Sequence, residues 1–231
     1  MKYSNIKEAI FLRRPNRFIA FCEIDGKEEK VHVKNTGRCK EILIPGVKVY
    51  LEHSDNPNRK TAYSLIAVRK GDRLINMDSQ IPNKVVYEAL ASGTLVLPGL
   101  EGRDICVQPE KTYKNSRFDA YVETEKDKAF IEVKGVTLEE GGIVRFPDAP
   151  TERGVKHIHE LIDAASNGFK AYIIFIIQMK DVKYFTPNVI THEAFGIALK
   201  EAVSKGVQVL AYDCTVEPDC IILDSPVQVK L

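Results

Sequence analysis

Residues 130–135, FIEVKG, alternate apolar and polar side chains as a half-buried strand does, and the polar positions are Glu132 and Lys134. An acid and a base two residues apart on an interior strand need partners, because charged side chains are seldom buried alone. Upstream lies RFDAYVE at 117–123, and the polar stretch TEKDK between the two segments makes them a hairpin. With the turn centred on Glu125 and Lys126, Phe130 stands opposite Tyr121 and Glu132 opposite Asp119. Directly opposed residues share a sheet face, which brings Asp119, Glu132 and Lys134 to one spot. A slip of one residue would send Asp119 to the other face.

Two carboxylates held together repel, and one of them resists ionisation. A divalent cation removes the conflict. A small set of hard oxygen ligands suits Mg²⁺ or Mn²⁺, which keep waters that phosphate oxygens can replace. A lysine beside such a site can orient the attacking water or meet charge developing on phosphorus. This is the chemistry of metal-dependent phosphodiester hydrolysis. The same residues also fit a plain Lys–Glu ladder on the surface of an antiparallel pair, and spacing alone does not choose between the two.

The elements that must position these residues change character near Asp78. Before it come six short strand candidates, AIFLRR, RFIAFCEI, KVHVK, VKVYLEH, AYSLIAVR and RLINM, with turn signals at Asp25-Gly26 and at KGD, 70–72. That many strands in so short a stretch fit a small OB-like barrel over residues 1–78, a fold that often takes oligonucleotides. After it, helical patterns at 83–93, 151–168 and 191–206 alternate with apolar strands at 171–178 and 207–212. Thr191 is placed to cap the third helix. Residues 79–231 therefore read as an α/β domain with a mixed sheet.

Charge divides in the same place. Residues 1–78 hold 16 Lys and Arg against 10 Asp and Glu, and the remainder 17 against 22, although the whole chain is only +1. A basic first module accords with nucleic-acid binding. Arg13, Arg14 and Arg17 flank Phe18, and Lys34, Asn35 and Arg38 follow in KNTGR. Arginines contact phosphates and barrel aromatics stack on bases, though a charged edge also prevents strand pairing. Arg153 and His157 lie four apart on one helix face, placed to reach a phosphate or to pair with Asp148 or Glu152. Gln178 ends an apolar strand, a usual place for site residues in α/β sheets.

No run approaches the roughly 20 apolar residues of a membrane span, and the start lacks a signal-peptide core. Five cysteines without a CxxC pair read as reduced thiols, Cys214 and Cys220 among them as small apolar packing groups. A cytoplasmic protein is expected, with no membrane partner; a homodimer is compatible with the sequence.

The blocks RFD at 117–119, IEVKGVTL at 131–138, FPDAPTERG at 146–154, NTGR at 35–38 and LIPGVKVYL at 43–51 resemble the sugar fermentation stimulation protein family, in order and over nearly the whole chain. The resemblance implies an N-terminal OB-fold and a C-terminal domain similar to the PD-(D/E)xK nucleases. It also implies a DNA-binding protein linked in bacteria to sugar (maltose) metabolism. By position the nuclease-like core is Asp119, Glu132 and Lys134, with Glu88 on the first helix where such nucleases often place another metal-site carboxylate. Phe118 stands where the nuclease motif has proline, and the literal Pro147-Asp148 pair comes after the ExK segment. Pro150 stands where the family's block usually has an aliphatic residue, which bears on how the following helix starts.

Overall fold

A computed structural model describes residues 1–35 and 37–231; Thr36, inside the NTGR stretch, lies outside the described residues. Six strands, β1 (Ile6–Asn16), β2 (Ile19–Ile24), β3 (Lys27–Val33), β4 (Lys48–His53), β5 (Tyr63–Lys70) and β6 (Arg73–Asn76), form a sheet in the order β3-β2-β1-β4-β5-β6. A further β3–β5 pairing closes β1 to β5 into a barrel. Asp25 and Gly26 both have positive φ, as a two-residue type I′ hairpin requires. Alternate residues such as Phe11, Cys22, Val31, Val49, Leu51 and Leu65 fill the interior.

The remaining elements are α1 (Ile81–Ala91), β7 (Cys106–Tyr113), β8 (Ser116–Glu123), β9 (Lys128–Val136), β10 (Leu138–Glu140), β11 (Ile143–Phe146), α2 (Glu152–Ser166), β12 (Lys170–Ile177), β13 (Tyr184–Pro187), α3 (Glu193–Ser204), β14 (Gln208–Glu217) and β15 (Cys220–Pro226). Six of the strands form a mixed sheet ordered β15-β14-β12-β9-β8-β7, parallel through β9, β12 and β14. The others form a small sheet, β10-β11-β13. Val85, Val86, Ala89 and Leu90 of α1 cover one face of the large sheet, against Ala120, Ile131 and Val133. Ile158 and Leu161 of α2 and Leu199 of α3 cover the other, against Ile173 and Phe175. Strand β12, covered on both sides, is accordingly a continuous apolar run.

Helix α2 begins as its sequence indicates: the Thr151 hydroxyl accepts the Gly154 amide, with Pro150 in front causing no departure. Helix α3 begins differently. Its N-cap is His192, not Thr191. The His192 ring accepts the Thr151 amide at Nδ1 and pairs with Glu152 through Nε2, tying the starts of α2 and α3 together.

The two units are joined at several points. The Gln178 amide group donates to Asn76 Oδ1 and to the Asp78 carbonyl, at 2.9 and 3.0 Å. Buried Glu139 takes Lys70 and Arg73 of the barrel sheet. The leading residues do not belong to the barrel: Lys2 bridges to Cys220, and the Tyr3 amide donates to the Asp219 carbonyl.

Candidate metal and nucleic-acid site

The β8–β9 hairpin has the register read from the sequence, from Glu123 opposite Lys128 to Ala120 opposite Ile131. There the ladder ends. One residue on, the Asp119 carboxylate stands in for a backbone partner: Oδ2 accepts the Val133 amide at 2.8 Å, and Oδ1 accepts Asn83 Nδ2 of α1 at 2.8 Å. The expected direct opposition of Asp119 and Glu132 is therefore not formed. Phe118 instead takes the α2 side, its ring 5.3 Å from Phe130 and 6.2 Å from His157. Asp119 comes to the site across the open end of the hairpin.

Glu132 is 2% exposed. Its Oε1 accepts from the Lys134 ammonium and from His157 Nδ1, the latter at 2.6 Å. Its Oε2 is buried and has no hydrogen-bond partner among the described residues. Arg153, one turn before His157 on α2, donates from Nε to His157 Nε2 at 3.4 Å. His157, read from the sequence as a phosphate contact, is instead 6% exposed and braces Glu132 from behind. Arg153 is exposed, with its terminal nitrogens uncommitted among the described residues.

The two carboxyls are pushed in opposite directions. Burial would raise Glu132, but the His157 hydrogen bond and the Lys134 ammonium outweigh it and hold the group below the ordinary range. Asp119 is raised by burial and by the Glu132 charge, only partly offset by the Val133 amide and Lys134. A buried carboxylate oxygen without a partner, beside a second carboxyl whose charge is disfavoured, fits a hard divalent cation. Glu88 does not join them: it sits on the exposed side of α1 and pairs with the Met1 ammonium at 2.7 Å. The residue of α1 that reaches the site is Asn83, which no sequence signal singled out. Elsewhere, Glu217, Asp219 and Cys220 at the β14–β15 turn bring three donor atoms within 4.8 Å of one another, but both acids are exposed.

Beside Lys134 a cleft of about 440 Å³ opens between the two units, lined by Lys134, Arg145, Asp148, Arg153 and Gln178 on one side and Asn35, Gly37 and Ser79 on the other. A Cβ at Gly135 would stand 2.5 Å from Gln178 Oε1 and 2.8 Å from Pro82 Cγ, so β9 passes here only as glycine. Gln178 lines this cleft but also clamps the units together.

The barrel's basic residues divide sharply. Arg14 spends both terminal nitrogens on the carbonyls of Gly37, Arg38, Arg17 and Asn35. Arg13 forms a two-pronged pair with Glu28 and lies 4.1 Å over the Phe21 ring. Lys34 pairs with Glu52 and Asp78, and the buried Asn35 side chain bonds Met77 and Gly37. Arg14, Lys34 and Asn35 hold the segment after β3 in place, and Arg13 ties β1 to β3. Arg17 and Arg38 are exposed and make no side-chain hydrogen bond or ion pair to another described residue. With Lys40 they line an open cleft of about 610 Å³.

Residues 12–77 match the family model described as SfsA N-terminal OB domain, and residues 80–220 the one described as Sugar fermentation stimulation protein RE domain. The chain is 61% identical to the sugar fermentation stimulation protein homolog of Ruminiclostridium cellulolyticum and 59% to that of Clostridium beijerinckii, each over the whole of both chains. Its fold is similar to the solved structure described as Pyrococcus furiosus SfsA in complex with Ca²⁺, with a TM-score of 0.88 and 32% identity, over 100% of this chain and 98% of that one.

Proposed function

The chain belongs to the sugar fermentation stimulation protein family, and on that premise we propose that it is a metal-dependent phosphodiesterase acting on nucleic acid, DNA or RNA. Asp119 and Glu132 hold Mg²⁺ or Mn²⁺ in this reading, and Lys134 faces the phosphate to be cut. The observation that carries it is the buried, unpartnered Oε2 of Glu132, whose other oxygen takes the ammonium of Lys134 at the wall of the open cleft. The relative from Pyrococcus furiosus supports it, since its structure is of a complex with Ca²⁺, another cation that takes oxygen ligands.

Each residue has a distinct part. His157 fixes the Glu132 carboxylate through Oε1 and leaves Oε2 without a partner. Asn83 and the Val133 amide orient Asp119 through one oxygen each. Lys134, on the strand beside the cleft, supplies positive charge where the phosphorane develops negative charge. Arg153 and Arg145 line the approach and take the flanking phosphates. The bound cation supplies Lewis acidity and a more acidic water. Five free thiols accord with a reducing compartment, and the cytoplasm is the proposed location.

A second reading has its own support. The Lys134–Glu132 pair satisfies the carboxylate's charge without any cation, which favours a DNA-binding regulator with an idle nuclease-like site, in keeping with the sugar-metabolism link of the family. Thermal melting with Mn²⁺ separates the two. A cation that binds only the folded chain at about 100 times its Kd adds about 2.7 kcal/mol, roughly 5–10 °C for a chain of this size. The Asp119→Asn, Glu132→Gln double variant should fold and lose that shift. An equal shift in both proteins would remove the two carboxylates from any metal site.

A further inference from the structure

The cleft beside Lys134 and the cleft on the barrel share a wall. Gly37 lines both, and the adjacent residues Asp148 and Ala149 line one each. At this seam the Arg38 amide donates to the Asp148 carboxylate at 2.9 Å, and a Cβ at residue 37 would collide with that same oxygen. The seam is therefore the 37–38 backbone held against the Asp148 carboxylate, and a glycine at 37 is what lets them meet. Cations flank it on either side. Arg145 and Arg153 lie on one, Arg17, Arg38 and Lys40 on the other, and the last three make no side-chain bond to another described residue.

Resting on the reading just given, we infer that the two clefts are one path for a single unpaired nucleic-acid strand. The strand's reacting phosphodiester lies beside Lys134; the same strand continues over Gly37 onto the barrel, where Arg17 and Arg38 meet its phosphates. Three observations specify one strand. A space of about 440 Å³ is on the scale of one drug-sized group and not of a duplex. Phe18, next to Arg17 on the β1–β2 loop, is 52% exposed and offers a ring face that only an unpaired base can use. That loop is one of those through which OB barrels take oligonucleotides. Asp148 and Arg14 are the positioning residues of this path: one holds the 37–38 backbone from the large unit, the other from within the barrel.

The test is equilibrium binding of fluorescein-labelled single-stranded DNA of about 4 and about 14 nucleotides, lengths at either end of OB footprints, to the full chain in EDTA. The Arg17→Ala, Arg38→Ala variant should bind the long strand about 10-fold or more weakly. Its salt slope should fall by about 1.4, at about 0.7 per lost phosphate contact. Binding of the short strand should stay as in wild type. The Arg145→Ala, Arg153→Ala variant should weaken both lengths. Both replaced barrel side chains are exposed, and an unchanged melting temperature checks the fold. Equal loss at both lengths, no loss at either, or a wild-type chain that prefers a 14-base-pair duplex to the strand would each overturn the path. Cleavage is not read: a protein with this binding pattern that never cuts keeps the path and loses the phosphodiesterase reading.

Discussion

The barrel loop and the end of the β8–β9 hairpin carry the two polar clusters of this chain, and they use their charges oppositely. At this end of the barrel, Arg13 and Arg14 of β1 and Lys34 and Asn35 after β3 are consumed by internal partners, and the side chains left over, Arg17 and Arg38, face outward. At the hairpin end, Lys134 and His157 converge on one carboxylate, with Arg153 behind His157, and still leave an oxygen of it without a partner. A surplus of cations in a segment thus says little about how many can receive a ligand. What matters is which polar atoms remain after the fold has satisfied itself.

The largest effect that can sharpen this contrast is on rate. Lys134→Met should lower single-turnover cleavage of a long single-stranded DNA in Mn²⁺ by roughly 10²-fold or more, the scale for losing one preorganised charge, with binding of the same strand nearly unchanged. Equal cleavage by wild type and variant would mean that the Lys134–Glu132 pair is structural, and the two clusters would then be alike.

Next comes stability within the barrel. Arg14→Ala leaves four carbonyls short of a donor and should cost about 2 kcal/mol or more in urea denaturation, whereas Arg17→Ala should stay within about 0.5 kcal/mol of wild type. If the two variants unfold together, the division between structural and free arginines is wrong.

The smallest effect separates the two carboxyls by pH. Glu132 sits below the ordinary range when folded, so its contribution is present at neutral pH and is lost as pH falls through its folded value. Asp119 sits above the ordinary range, so the folded chain holds its proton more tightly than the unfolded chain, and stability falls as pH rises through that interval. In metal-free buffer Asp119→Asn should raise the melting temperature at pH 7, and the gain should vanish below about pH 4. A loss at pH 7 would show that the carboxylate is content without a cation.

Much of this was legible in the chain. The hairpin register followed from the polar TEKDK turn and from period-two alternation, both local signals. The six strands of the first sheet and the three helices fell close to where their patterns put them. Where the ladder would stop was not legible, because it depends on Asn83 arriving from a helix 36 residues away and capturing Asp119. Arg153 and His157 were found as a helix-face pair, but spacing cannot say whether a ring points to solvent or to a buried acid 25 residues earlier. Glu88 looked like a ligand on its helix and met the Met1 ammonium instead. Strand β7 escaped notice because Pro109 interrupts it and it lies, largely exposed, at the sheet edge, where no alternation is enforced. Thr191 had the chemistry of a cap, and His192 took the position through contacts to α2.

The pairing of Lys2 with Cys220 means that the large sheet receives chain from both sides of the barrel. The barrel strands, Ile6 to Asn76, form one uninterrupted stretch, so they can close while the ribosome is still working. Residues 1–3 cannot finish their own folding then, because β15 does not yet exist. At 5–20 residues per second, the remaining chain takes on the order of 10–30 s to appear. Through that interval residues 1–3 stay untied, and β15 ties them down only once it has been made. Contacts of such wide sequence separation form late and slowly. Completion of the large sheet, not closure of the barrel, is therefore the step expected to set how soon residues 1–3 find their places.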